Sequence, residues 1–304
     1  MKEFFKVNTI TEVHDFLDLP KPRHPLISVL HIDENLRNVD LANFRFSFGL
    51  YQISLKNNCP FTISNYGRKS YDFQEGTMIF TAPYQVFEFE KNENYPKDKD
   101  WTIFFHPDFI RKTELGKKID QYHFFSYAIN EALHLSDEEQ KIVTEIVQKI
   151  EREYNGNIDM HSQTLMISNL ELLLNYCTRF YDRQFFTRTN FNKDIVIEFE
   201  QLLKGYYDSE KPLELGVPTV QYCGKALNLS PKYLSDLLRK ETGRNTQDHI
   251  HQYIIEKAKS RLLNSKESVS EIAYDLGFEY PQYFSKVFKK KTTMSPNEYR
   301  KNFN

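Results

Sequence analysis

Cysteine is scarce in this 304-residue chain: Cys59, Cys177 and Cys223 are odd in number and far apart. With no Cys-x-x-Cys pair and no even, closely spaced set, there is no disulfide framework of the kind that staples small secreted folds. Long apolar runs are missing too; no stretch approaches the roughly 20 residues that a membrane-spanning helix needs. The opening residues, Met1-Lys-Glu-Phe-Phe-Lys-Val-Asn8, lack the apolar core of a secretory signal. A reducing cytoplasm, away from membranes, is the expected home. Catalytic signatures are also missing: there is no nucleophile elbow, no Walker loop and no glycine-rich dinucleotide fingerprint. His24, His31 and His106 stand alone, with no His-x-His pair to gather several imidazoles around one ion. The expectation is a protein that is not an enzyme and carries no cofactor or metal.

Net charge is only −2, from 40 Lys and Arg against 42 Asp and Glu. The balance is uneven along the chain. Residues 219–304 hold 15 of the basic and nine of the acidic residues, a surplus of six; residues 1–218 keep 25 basic and 33 acidic, a deficit of eight. A C-terminal basic segment behind an acidic one fits phosphate neutralisation by the last part of the chain. A Lys-rich solvated surface would give the same count.

What the chain does have is a repeat. Pro231–Thr242 laid over Pro281–Thr292, a shift of 50, matches Pro with Pro, Tyr233 with Tyr283, Ser235 with Ser285 and Thr242 with Thr292. Leu234, Leu237 and Leu238 fall on Phe284, Val287 and Phe288, and Arg239-Lys240 on Lys289-Lys290. Upstream the shift is 49: Thr219 meets Ser268, Gly224 meets Ala273 and Asn228 meets Gly277. Each part has a physical reason. Thr219 and Ser268 can cap a first helix; Gly224 and Ala273 let a second helix cross closely. Asn228 and Gly277 tolerate a left-handed turn, and Pro231 and Pro281 suit the first turn of the next helix. That next helix has an apolar side and an outward side, Lys232, Ser235, Asp236 and Arg239 in one copy and Gln282, Ser285, Lys286 and Lys289 in the other. Helix, tight turn, helix is the unit that places a helix in a DNA groove. Between the copies, Thr246 to Asn264 reads as one helix with Ile250, Ile254, Ala258 and Leu262 in a stripe. At about 1.5 Å per residue it spans about 28 Å, against about 34 Å for a turn of DNA. Such a rod could hold two reading helices in successive major grooves.

The run Ser270-Glu-Ile-Ala-Tyr-Asp-Leu-Gly-Phe278, then Tyr283-Phe-Ser-Lys-Val-Phe-Lys-Lys290, Ser295-Pro296 and Tyr299-Arg300, resembles the signature of the arabinose-regulator (AraC/XylS) family of bacterial transcription factors. The resemblance covers roughly 194–304. It implies a DNA-binding domain of seven helices, with two helix-turn-helix units (about 219–242 and 268–291) joined by a long helix. It puts base-reading positions at Lys232, Ser235 and Asp236, then at Gln282, Tyr283 and Lys286, and phosphate contacts at Arg239, Lys240, Lys289 and Lys290. It implies double-stranded DNA as partner and RNA polymerase as the machinery recruited or obstructed, activation being the commoner outcome. Two departures stand out. Thr293 replaces the usual glycine, although Gly243 keeps it in the first copy, and Ile254 or Ile255 stands where the linker helix often carries Arg. Asp236 could accept from a cytosine amino group or pair with a neighbouring cation.

Residues 28–105 have the texture of strands. Phe44–Phe48 and Tyr51–Leu55 alternate strictly, and Phe61–Ser64, Met78–Thr81, Val86–Glu90 and Trp101–Phe105 add more. Turns are marked at Asn57-Asn58, Tyr66-Gly67, Glu75-Gly76, Ala82-Pro83 and 92–99. Short strands at this spacing suggest an antiparallel barrel or sandwich, and Glu75–Gln85 resembles the glycine-to-proline strand of cupin-like sensor domains in the same family. The expected architecture is α+β and multidomain: a cupin-like antiparallel β-barrel over 1–112, a helical pair over 113–190, and the all-α DNA-binding domain over 194–304. The many aromatics of the barrel read first as core; a small-molecule effector pocket is the alternative by analogy. Ser136-Asp-Glu-Glu139 is a capping box for a helix with a stripe at Ile142, Val143, Ile146, Val147 and Ile150, and a second helix runs from about Ser162 to Tyr181. The resemblance makes this pair a dimerisation element; an internal hairpin fits the pattern equally. Residues 183–193 are polar and unpatterned, and read as a linker.

Overall fold

The computed structural model describes residues 3–31, 44–56, 76–88, 100–128, 131–157 and 159–303. The chain divides into two compact units, Met1–Thr187 and Arg188–Asn304.

The first unit contains β1 (Glu3–Val7), α1 (Ile10–Phe16), β2 (Ile27–His31), β3 (Phe44–Phe48), β4 (Tyr51–Lys56), β5 (Gly76–Thr81), β6 (Val86–Glu88), β7 (Trp101–Phe105), α2 (Pro107–Ile110), α3 (Glu114–Lys118), β8 (Leu133–Leu135), α4 (Asp137–Asn155) and α5 (Ser162–Thr187). Five strands form an antiparallel sheet in the order β2-β7-β4-β5-β8. A second sheet, β1-β3-β6, pairs β1 with β3 in parallel. Among the described residues the two sheets stay separate, so the expected closed barrel is replaced by two sheets. Alternation gives away a strand but not its partner, and the parallel β1–β3 pairing joins segments that no local pattern links. The strand expected over Phe61–Ser64 and the turns at Asn57-Asn58, Tyr66-Gly67 and 92–99 lie outside the described residues.

Register separates the two faces of the five-stranded sheet. One carries Ile27, Val29, Ile53, Leu55, Met78, Phe80, Trp101, Ile103, Phe105, Leu133 and Leu135, all buried. The two long helices meet this face: the Cys177 Sγ of α5 lies 3.8 Å from Met78 Sδ, and the Trp101 indole donates to Thr144 of α4 at 3.4 Å. The opposite face bears Ser28, Ser54, Lys56, Thr77, Thr81, Asp100, Thr102 and His134, which are buried as well. They bond among themselves: Ser54 to Thr102 at 2.9 Å, Gln52 to Ser54 at 2.8 Å and Thr77 to His134 at 3.2 Å. Lys56 and Asp100, 8% and 4% exposed, form an ion pair at 3.8 Å. Leu30 and Phe104 on this face join Val7, Ile10, Val13, Phe48 and Leu50 in a separate apolar cluster.

The capping box at Ser136 forms, and α4 buries Val143, Ile146, Val147 and Ile150 as its stripe predicts. The segment 183–193, expected to be a linker, is helical: α5 runs on to Thr187, and α6 begins at Thr189. Gln184, Arg188 and Asn192 are buried in it, and its inward polar groups are bonded. Arg183 pairs with Glu139 at 2.8 Å and donates to the His134 carbonyl, while Gln184 bridges the His134 amide and the Ala132 carbonyl. Buried polar bonding of this kind leaves no hydrophobic period to detect.

The second unit is all helix: α6 (Thr189–Tyr207), α7 (Lys211–Leu215), α8 (Val220–Ala226), α9 (Pro231–Thr242), α10 (Thr246–Asn264), α11 (Val269–Asp275), α12 (Pro281–Thr292) and α13 (Pro296–Phe303). That is one helix more than the seven implied, the extra one being the five-residue α7. The strut α10 has the bounds read from the sequence, and Ile250, Ile254, Ile255, Ala258 and Leu262 are buried along it. An arginine in place of Ile254 or Ile255 would put a charge into this core.

Candidate nucleic-acid interface

Both helix-turn-helix units are built as their residues dictate. Thr219 caps α8 by accepting from the Tyr222 amide, and Ser268 caps α11 with a full capping box to Glu271. The turns pass through left-handed residues, Asn228 at φ 53° and Gly277 at φ 87°. Gly224 sits where a Cβ would lie 2.7 Å from the Leu229 carbonyl, so the first unit can close only around glycine. Gly277 is tighter still: a Cβ there would lie 2.6 Å from the carbonyl carbon of Gly216, in the segment leading into α8. The backbone ahead of the first unit thus rests directly on the turn of the second. Pro231 and Pro281 occupy the first turns of α9 and α12. Their apolar sides, Leu234, Leu237 and Leu238 in one, Phe284, Val287 and Phe288 in the other, are buried.

The ends of the two helices match despite their different residues. Gly243 closes α9 at φ 76° and Thr293 closes α12 at φ 68°, each amide donating four residues back, to Arg239 at 2.9 Å and Lys289 at 2.8 Å. The departure at Thr293 therefore leaves the turn unchanged, and a β-branched residue takes a conformation that glycine adopts freely.

A scaffold of charge fixes the second unit. Arg261 of α10 bonds Glu267 and, at 2.6 Å, Asp275 of α11. Arg261, then Ser265, hold the Glu267 carboxyl down to about 2. Arg300 of α13 donates to the Leu262 and Glu267 carbonyls at 3.0 and 2.6 Å, tying up the end of the strut. Lys291 at the end of α12 reaches Asp248 near the start of α10 at 2.9 Å, and this bond lowers the Asp248 pKa. In the first unit, α6 braces α9: buried Arg188 donates to the Tyr233 hydroxyl at 3.2 Å and buried Asn192 to Glu241 at 2.7 Å. These braces escape sequence reading because their partners lie far apart in the chain. The capping serines and the paired Arg261 and Glu267 are the visible traces.

The outward sides differ. On α12, Gln282, Tyr283, Lys286, Lys289 and Lys290 are exposed, and the side chains of Gln282 and Lys286 make no hydrogen bond or ion pair with any described residue. On α9, Arg239 and Lys240 are exposed, but Lys232 and Ser235 are half-buried. Ser235 bonds Thr246 at 3.0 Å, and Asp236, its side chain 12% exposed, lies 3.8 Å from Arg239. The cation-paired reading of Asp236 is the one this geometry favours.

His24, His31 and His106 each have a partner. His106 caps α2 by accepting from the Asp108 amide, His31 meets Glu151 at 3.1 Å, and His24 packs edge-on against Phe109. Cys223 is buried as core, and burial pushes its thiol up to about 11. Among the described residues no helix is long and apolar enough to cross a membrane.

Two helix-turn-helix units on one strut define the class of a double helix-turn-helix domain. Residues 223–302 match the family model described as a helix-turn-helix domain. The uncharacterised transcriptional regulatory protein YesN of Bacillus subtilis is 38% identical over 93 residues, 29% of this chain and 25% of that protein. The transcriptional activator RhaR of Yersinia pseudotuberculosis is 31% identical over 109 residues, 36% of this chain and 34% of that one. Among solved structures, the C-terminal domain of the response regulator YesN from Fusobacterium nucleatum is 31% identical, covering 35% of this chain and 98% of that domain with a TM-score of 0.31. The chain spans between 25% and 51% of the length of the first curated relatives it matches. Residues 223–302 thus carry a helix-turn-helix domain of the AraC type.

Proposed function

We propose that the chain is a cytoplasmic, sequence-specific DNA-binding transcription regulator whose partner is double-stranded DNA. The observation that carries this reading is the duplicated unit: two reading helices, each with an outward polar side and a basic end, spaced by a strut close to one DNA turn in length. On this reading Lys232, Ser235 and Asp236 face one major-groove window, and Gln282, Tyr283 and Lys286 face the next. Arg239, Lys240, Lys289 and Lys290 hold the register on phosphates. Bound at a promoter, the protein recruits or obstructs RNA polymerase.

The first unit regulates. Its buried polar sheet face, with Lys56 and Asp100 among hydroxyls, supports a small-molecule effector, which thermal-shift screening of metabolites on the full chain would detect. Leu165 and Leu172, seven residues apart on α5 and both exposed, support pairing with a second copy. The direct test of DNA reading is Lys286→Glu in a gel-shift assay. Reversing one groove-facing charge lowers affinity for the specific site by at least tenfold; unchanged binding would overturn the assigned face.

A further inference from the structure

The two copies are not equivalent at the start of their reading helices. Ser230 caps α9, its hydroxyl accepting from the Tyr233 amide at 3.2 Å. Tyr280 holds the same place on α12 and makes no capping bond. A helix gives up such a cap at a cost in stability, and here a 61% exposed aromatic ring stands in its place. Tyr283, three residues on, is 55% exposed as well, with its ring 5.8 Å from that of Phe278. The Glu279 carboxylate beside it raises the Tyr280 phenol pKa. With Gln282 and Lys286 the two tyrosines make a surface of two flat rings, an amide and a cation. That chemistry suits thymine methyls and sugar faces for the rings, adenine for the amide and guanine for the cation.

The corresponding surface of α9 is largely spoken for. Ser235 is bonded to Thr246, and Asp236 is mostly buried beside Arg239. To read a base, each would first give up its internal partner, with little net gain. The Asp236 charge also opposes approach to phosphate.

We infer that the second helix-turn-helix carries most of the base discrimination, with Tyr280 as an added member of its reading face, while α9 serves chiefly to position the protein on the backbone. The inference rests on the DNA-reading function proposed above and deepens it.

The test is selection of bound sequences from random duplexes with the full chain, followed by Tyr280→Ser, which installs the capping residue of the first copy. One strongly constrained window is expected, blurred by Lys286→Ala, beside a weakly constrained one about a turn away. Tyr280→Ser should bind the selected duplex about tenfold more weakly, the scale of one lost base contact. Its affinity for a scrambled duplex should stay the same and its Tm should be equal or higher. Tyr280→Asn, also able to cap, should behave alike. Unchanged affinity of both variants for the selected duplex, or two equally constrained windows, would overturn the inference while leaving a DNA reader in place. No enrichment of any sequence would overturn the reading itself, and the inference with it.

Discussion

Thr293 holds a left-handed conformation that costs an ordinary residue about 1–2 kcal/mol, at the place where the first copy has Gly243. Thr293→Gly should therefore stabilise the protein by about 1 kcal/mol, the relief of strain less the freedom glycine adds to the unfolded chain. Thermal denaturation checks this; a lower Tm would mean that the threonine hydroxyl, bonded to the Thr292 carbonyl at 2.5 Å, is worth more than the strain. Gly277→Ala should do the reverse. It adds a methyl group against the Gly216 backbone at a position with φ 87°, and should destabilise by about 3 kcal/mol. Sequence reading identified Gly277 as a turn residue. It could not see Gly216, because the contact joins two segments remote in the chain.

At the scale of elements, the Arg261 scaffold makes the second unit sensitive to acid. Glu267 has a folded pKa of about 2 against an ordinary 4.5. Its contribution is thus fully present above about pH 4.5 and lost as pH falls towards 2. Glu267→Gln should flatten the fall of Tm across that window; an unaltered profile would assign the acid sensitivity to other groups. The strut, its stripe and the caps at Thr219, Ser268 and Ser136 were all legible in the sequence, because each is a local rule acting within a few residues. Two elements were not. Residues 183–193 read as a linker because Arg183, Gln184, Arg188 and Asn192 turn polar groups inward, where hydrogen bonds replace hydrophobic period. The strands of the first unit read as a cupin-like antiparallel barrel, and the parallel β1–β3 pairing was hidden because strand pairing depends on distant partners. The sequence names the outward residues of α9 and α12 but not their states: that Ser235 and Asp236 are engaged and Gln282 and Lys286 free follows from packing alone.

At the scale of the molecule, charge sets how binding answers to salt. With four phosphate contacts at Arg239, Lys240, Lys289 and Lys290, log affinity should fall against log salt with a slope of roughly −3.6, at about 0.9 per contact. Lys289→Ala should reduce the slope by about one contact and weaken all duplexes alike; a change confined to the specific duplex would move Lys289 from the backbone to the bases. The contact of Gly216 with Gly277 bears on distance as well. Where two main chains meet with no side chain between them, neither helix-turn-helix can drift without disturbing the other. The domain is then a calliper locked at one opening. An operator lengthened by a single base pair between its halves, which turns one half about 34–36° around the axis, should be refused rather than accommodated.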